Sequence, residues 1–220
     1  MNWILKISQH AALSLILSVY GHGASLVIDT FDDGPFFLSN SQSAIVSDTQ
    51  SGGMLGGTRY VGISTQRRST TVTAELVTGT SILTFDTGDG PLLGTREGYI
   101  NIRWGSNPSL SLLGYDAFAL TITDLVGVGE VHVGINYLGY GSSSTSVPLT
   151  TDGELIIPMS QVDLGTGSLA GVSSIQLVLS GVSADFGASI SEFRVIPEPS
   201  SSVLLMCSLA FFLSQRRRKC

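Results

Sequence analysis

The stretch YINIRW, residues 99–104, alternates apolar and polar side chains with a period of two residues. Ile100, Ile102 and Trp104 fall on one side of an extended chain, and the residues between them fall on the other. A period of two is typical of a β-strand that has one face buried and one face solvated. The stretch therefore predicts a strand, with Trp104 in the core.

The same alternation recurs along most of the chain, in about ten segments separated by turn clusters that are rich in Gly, Ser, Asn and Asp. The clearest are TVTAELV (71–77), FALTIT (118–123), VHVGINY (131–137), ELIIP (154–158), SIQLVLSG (174–181) and ISEFRVI (190–196). No periodic stretch of helix length separates them, so a parallel sheet would lack its crossover helices. We predict an all-β, two-sheet antiparallel β-sandwich, with a long loop over Phe36–Gly57.

Charge and cysteine content limit the chemistry of this domain. Sixteen of the 17 acidic residues but only six arginines, and no lysine, lie between Ser25 and Ile196. A charge of roughly −10 repels phosphate backbones, which argues against nucleic acid as a partner. Both cysteines, Cys207 and Cys220, lie beyond the domain, so it has neither a disulfide nor a thiol nucleophile.

Both termini have the composition of targeting segments. Lys6 precedes an apolar run from Ala11 to Tyr20 and then small residues, which predicts a cleaved secretory signal over residues 1–24. We therefore expect a signal helix at the N-terminus and a β-sandwich domain over residues 25–196. Export through the secretory machinery follows from that signal.

The C-terminal residues 197–220 combine a Pro-Glu-Pro triplet, an apolar run and a basic cluster. The triplet is Pro197, Glu198 and Pro199, and the basic cluster is Arg216, Arg217, Arg218 and Lys219. Two prolines make the triplet rigid and non-helical. The run from about residue 200 to 215 spans a bilayer as a short transmembrane helix only with help from its flanks, and the cations hold its end in the cytoplasm.

These residues resemble the PEP-CTERM sorting signal. The resemblance implies export, transient tethering in the inner membrane, and processing near the Pro-Glu-Pro by an exosortase. It also implies delivery to the cell surface or to an extracellular polysaccharide matrix. The alternative for this tail is an ordinary single-pass membrane anchor with a proline-containing linker.

The central region loosely resembles jelly rolls of the galactose-binding-like and carbohydrate-binding-module kind, through IDTFDDG at its start and ISEFRV at its end. That resemblance implies a structural calcium held by Asp29, Asp32 or Asp33 together with Glu192. Solvated turn carboxylates are the alternative. In DTGDG, Asp86 and Asp89 present the same choice between calcium ligands and Asx-turn residues.

Candidate ligand-binding residues lie on the polar sides of two predicted strands. Tyr99, Asn101 and Arg103 join His132 and Asn136 if those strands share a sheet, and together they offer an aromatic ring and donors for sugar hydroxyls. The alternative is a solvated face without a ligand.

Catalytic residues are not indicated. His132 is the domain's only histidine, which excludes a multi-histidine zinc site, and no G-x-S-x-G motif accompanies it. The sequence predicts a non-catalytic, exported β-sandwich with polysaccharide as its candidate ligand. An extracellular carbohydrate-active enzyme and a purely structural matrix protein are the alternatives.

Overall fold

The computed structural model describes residues 24–42, 44–65, 71–77, 79–88, 98–105, 110–137, 140–163, 168–183 and 185–198. Leu26–Ile196 forms one compact unit. The predicted transmembrane segment and all but the last residue of the predicted signal helix lie outside the described residues. Within the described ranges, no helix is long and apolar enough to cross a bilayer.

The described residues form thirteen strands and two short 3-10 helices. The strands are β1 (Leu26–Asp29), β2 (Phe36–Asn40), β3 (Val46–Ser51), β4 (Thr58–Thr65), β5 (Val72–Leu76), β6 (Leu83–Asp86), β7 (Gly98–Trp104), β8 (Tyr115–Val126), β9 (Gly129–Tyr137), β10 (Tyr140–Leu149), β11 (Gly153–Pro158), β12 (Val172–Gly181) and β13 (Gly187–Pro197). The 3-10 helices are Leu55–Gly57 and Met159–Gln161.

The strands pair into two antiparallel sheets. The front sheet has the order β10-β9-β12-β7-β4-β3, and the back sheet has the order β11-β8-β13-β6-β5-β2, with β1 paired to β13. The chain passes repeatedly from one sheet to the other, so that β12 lies between β9 and β7 while β13 lies between β8 and β6. This is the predicted all-β sandwich, with long-range pairing of the jelly-roll kind.

The core consists of the apolar sides of both sheets. Ile100, Ile102 and Trp104 of the front sheet are fully buried, as the alternation in YINIRW predicts. Trp104 packs against Phe193 of the back sheet with ring centroids 5.2 Å apart, and Phe193 stacks on Phe118 at 5.7 Å. Each such side chain contributes about 1.5–3 kcal/mol through burial, so these rings hold the two sheets together.

The long loop predicted over Phe36–Gly57 is wrong. That stretch contains β2 of the back sheet, β3 of the front sheet and a 3-10 turn. Both strands are at sheet edges, and β3 keeps only Gln50 buried. An edge strand with one buried residue lacks the apolar alternation by which strands are recognised in a sequence.

Candidate binding face of the front sheet

The outer face of the front sheet is built by four neighbouring strands, β4, β7, β12 and β9. Alternate side chains of each strand point into the core, so the residues between them point outward. The register places Tyr60 opposite Arg103, and Arg103 opposite Gln176. Asn136 of β9 lies opposite Ser174 of β12. Polar side chains from all four strands thus form one continuous surface.

A cavity of about 330 Å³ lies on this surface. Its lining residues come one or two from each strand: Tyr60, Asn101, Arg103, Asn136 and Gln176. Three of them, Asn101, Arg103 and Asn136, are residues that the sequence predicted for a binding site. We call this set of five residues the front cavity.

Side-chain hydrogen bonds hold the amides of the front cavity in place. Gln176 Nε2 donates to Asn101 Oδ1 at 2.9 Å, across the β12–β7 pair. Asn136 Nδ2 donates to Ser174 Oγ at 2.9 Å, and Ser173 Oγ donates to the backbone carbonyl of Asn136 at 2.9 Å. Each amide keeps further donor or acceptor atoms, so the cavity presents preset hydrogen-bonding groups.

The aromatic side of the front cavity depends on a glycine. A Cβ on Gly62 would lie 3.0 Å from Tyr60 Oη and 3.2 Å from Tyr60 Cε1, so the Tyr60 ring lies down over the Gly62 backbone. Arg103 places its guanidinium carbon 5.5 Å from the centroid of that ring. This cation–π contact orders both side chains at the edge of the cavity.

The other two predicted binding residues, Tyr99 and His132, lie on the same face but do not line the front cavity. Tyr99 pairs with Ser180 of β12, and His132 pairs with Val178. The imidazole of His132 is half-buried, with Nε2 at 3.3 Å from Glu130 Oε2. The predicted orientation of His132, opposite its apolar neighbours on β9, is confirmed.

Sequence reasoning missed Tyr60 and Gln176. The amide of Gln176 interrupts the apolar run SIQLVLSG and so signals an outward position, but the run does not reveal that β12 lies between β7 and β9. Tyr60 follows the loop-like GGTR with no distinct signal. Both residues join the site through strand pairing alone.

Asp29, the first predicted calcium ligand, is instead part of a buried ion pair. Its Oδ2 accepts from Arg59 Nη1 at 2.7 Å and from Trp104 Nε1 at 2.6 Å, while its Oδ1 accepts from the Phe31 N–H at 2.7 Å. Arg59 is fully buried, and its Nη2 donates to the carbonyls of Asp33 and Gly34 at 2.7 and 3.0 Å. One guanidinium therefore holds a carboxylate and two carbonyl oxygens.

The other predicted calcium ligands also have protein partners. Asp32 accepts from the hydroxyls of Ser81 and Thr30, and these bonds, the Ser81 bond first, hold the pKa of Asp32 below its ordinary 3.8. Asp33 Oδ2 accepts from the Gly53 N–H at 2.7 Å. Glu192 pairs with Arg194, which also pairs with Glu154.

No group of three or more His, Cys, Asp or Glu side chains that could hold a metal ion occurs among the described residues. The four predicted calcium ligands are thus not brought together, because each serves a separate turn or ion pair. Asp86 Oδ1 accepts from the Gly88 N–H at 2.6 Å, which is the Asx-turn alternative for DTGDG. Asp89 lies outside the described residues.

The sorting-signal residues fall at the limit of the described chain. Pro197 ends β13, and Glu198 follows it. Pro199, Arg216, Arg217, Arg218 and Lys219 lie outside the described residues.

Comparisons with known proteins found matches among solved structures. No protein-family model matches the chain, and no curated protein is similar to it in sequence. A family 11 carbohydrate-binding module of the cellulosomal cellulase Lic26A-Cel5E of Clostridium thermocellum is 13% identical, with 79% of this chain and 95% of that chain covered and a TM-score of 0.44. A family 12 xyloglucanase from Bacillus licheniformis is 11% identical, with coverage of 73% and 99% and a TM-score of 0.46.

Proposed function

We propose that this protein is an exported, non-catalytic β-sandwich that binds polysaccharide through the outer face of its front sheet. The observation that carries the proposal is the front cavity, where one tyrosine ring and three carboxamides from four adjacent strands surround a volume of about 330 Å³. Carboxamides donate and accept at once, as sugar hydroxyls do. The Tyr60 ring, which lies between the Gly62 backbone and the Arg103 guanidinium, orders the edge of this polar lining.

The size and shape of the front cavity support a short glycan segment as its ligand. Small-molecule sites in proteins enclose about 300–1,000 Å³, so this cavity is at the lower end of that range. It lies on the exposed side of a sheet, where a polymer has access along the whole face. Ordered amides also reduce the entropy lost when a ligand binds.

The lining of the front cavity supports binding in preference to hydrolysis. Glycoside hydrolysis uses two carboxyl groups on either side of the scissile bond. The described residues that line the cavity are one tyrosine, one arginine and three amides, and none of them carries a carboxyl group. A lining that consists mainly of amides and an arginine therefore favours holding a sugar over cleaving it.

The destination of the protein belongs to the same proposal. The N-terminal apolar run supports export through the secretory machinery, and the Pro-Glu-Pro triplet, apolar run and basic cluster support transient tethering and exosortase processing. A polysaccharide-binding face is useful at the cell surface or in a surrounding polysaccharide matrix. Membrane contact is then a stage of export.

Binding is tested by affinity electrophoresis of the full-length protein in gels that contain soluble neutral or acidic polysaccharides. Asn136→Ala combined with Gln176→Ala removes two hydrogen-bonding side chains, each worth about 0.5–1.5 kcal/mol, and should weaken retardation about 5-fold or more. Thr121→Ala, on the outer face of the back sheet, is the control and should bind normally. Absence of retardation by every polysaccharide would favour the structural-matrix alternative.

Processing is tested separately by the intact mass of the exported protein. Loss of the residues that follow the Pro-Glu-Pro is expected. A mature form that keeps Arg216–Cys220 would replace sorting by simple membrane anchoring. This result is independent of the binding experiment.

A further inference from the structure

The arginines of the described residues differ in whether they pair with a carboxylate. Arg59 pairs with Asp29, and Arg194 pairs with Glu192 and Glu154. Arg103 has no carboxylate within ion-pair distance among the described residues, although the domain is strongly acidic. Its guanidinium is exposed at the rim of the front cavity.

Asp48 of the edge strand β3 is level with Val61 and Ile102, on the side of the sheet opposite to Arg103. On the outer faces of β4, β7, β12 and β9, the nearest described carboxylate belongs to Glu130. It lies two strands from Arg103, and by the register it is four residues further along the strand direction. Strand spacing and rise place the two residues about 16 Å apart. That separation is about twice the Debye length in physiological salt, so Glu130 does little to neutralise Arg103.

Arg103 is also positioned before any ligand arrives. Its guanidinium lies 5.5 Å from the Tyr60 centroid, and Tyr60 is itself held over Gly62. A stacked guanidinium loses little further freedom when it pairs with an anion, and two of its N–H donors can bind two oxygens of a carboxylate or a sulfate. The Gln176 and Asn101 amides beside it supply neutral donors for the rest of a sugar ring.

We propose that the glycan bound at the front cavity is acidic, and that Arg103 pairs with its anionic substituent, a uronate carboxylate or a sulfate ester. This inference rests on the proposed polysaccharide binding and adds the chemical class of the ligand. A cation beside neutral amides selects an acidic sugar over its neutral counterpart. The long-range charge of the domain opposes acidic polymers, so the selection is local to Arg103.

The experiment measures the affinity of the full-length protein for matched pairs of glycans. One pair is polygalacturonate oligomers and their fully methyl-esterified form, and the other is dextran sulfate and dextran. The acidic member of one pair should bind about 10-fold or more tightly than its neutral partner, and the pair that shows this difference identifies carboxylate or sulfate as the group recognised.

Two variants test whether Arg103 causes that difference in affinity. Arg103→Met keeps an apolar side chain over Tyr60 and should remove the preference for the acidic glycan. Arg194→Met changes the net charge equally on the opposite sheet and should keep it.

Neutral glycans that bind as tightly as their acidic partners would overturn the inference and leave polysaccharide binding intact. A preference that survives in Arg103→Met would overturn the role of Arg103. If no member of either pair binds, polysaccharide binding itself fails, and the inference fails with it.

Discussion

Arg59 holds the first strand of the domain and the loop that follows it. It has no exposed surface, yet its charge is balanced by Asp29 and its second nitrogen is used by two loop carbonyls. Its guanidinium carbon also lies 5.4 Å from the Phe31 ring centroid. The side chain therefore connects β4 of the front sheet to β1 and the loop after it.

We expect Arg59→Met to destabilise the domain by about 3–5 kcal/mol, because it leaves the Asp29 carboxylate buried without its cation. Urea denaturation of the full-length protein measures the change. Arg194→Met is the matched control, and its partly exposed ion pairs should contribute about 1 kcal/mol or less. Equal losses in the two variants would contradict a structural role for the Arg59–Asp29 pair.

Asp32 gives a pH-dependent prediction. Hydrogen bonds from Ser81 and then Thr30 lower its pKa in the folded protein below the ordinary 3.8. The stability that they contribute is therefore fully present above the ordinary carboxyl pKa and is lost as the pH falls through the lowered pKa. Ser81→Ala should move the Asp32 titration, followed by NMR, upward. The difference in stability between the two proteins should vanish in strong acid, and an unshifted titration would remove Ser81 as the cause.

At the scale of elements, the start of β9 is shaped by an aromatic side chain from the connection between β12 and β13. A Cβ on Gly129 would lie 2.3 Å from Cε2 of Phe186. Phe186 is fully buried and meets the Phe85 ring edge-on at 6.0 Å. The close approach of β9 to this ring is possible only because Gly129 has no side chain.

Gly129→Ala should destabilise the domain by about 1–3 kcal/mol, since a methyl group there forces Phe186 out of its place. Gly171→Ala is the matched control, because its Cβ would meet nothing within 4 Å. The control should change stability by about 0.5 kcal/mol or less. Chemical denaturation of both variants measures the difference, and a Gly129 variant as stable as the control would refute this packing.

At the scale of the whole molecule, the sheets are joined by an apolar core and by the ion pair of Arg59. The carboxylate and the two carbonyls that Arg59 holds are oxygen ligands of the type that calcium uses. The guanidinium of Arg59 thus pairs with Asp29, for which the sequence resemblance implied a calcium ion.

We expect the thermal midpoint of the full-length protein to be the same in EDTA and in millimolar Ca²⁺. A calcium ion bound at 100 times its dissociation constant would stabilise the folded state by about 2.7 kcal/mol, which a thermal melt detects readily. A midpoint that rises with Ca²⁺ and falls with EDTA would show that the folded protein binds calcium.

Much of the fold was predictable from the sequence, because a strand with one buried face shows a period of two in its own residues. The alternation in YINIRW correctly separates buried Trp104 from exposed Arg103, and the same rule orients His132. Edge strand β3 escapes the rule because it buries only Gln50, and β2 escapes it because its apolar residues Phe36, Phe37 and Leu38 are consecutive although their burial alternates. Because alternation identifies outward residues only on strands that show it, the sequence predicted three of the five residues that line the front cavity.

By itself the sequence determined the class of fold, the faces of its main strands and the acidic character of the domain. Only the tertiary structure decided which strands are neighbours, so that Gln176 joins Asn101, and how the two sheets stack, so that Asp29 meets Trp104; each pair is 75 residues apart in sequence. The physical reason is that strand pairing uses backbone hydrogen bonds, which are common to all residues and carry no local record of their partners. Side chains that meet across a sheet are therefore unmarked in the sequence until the sheet is built.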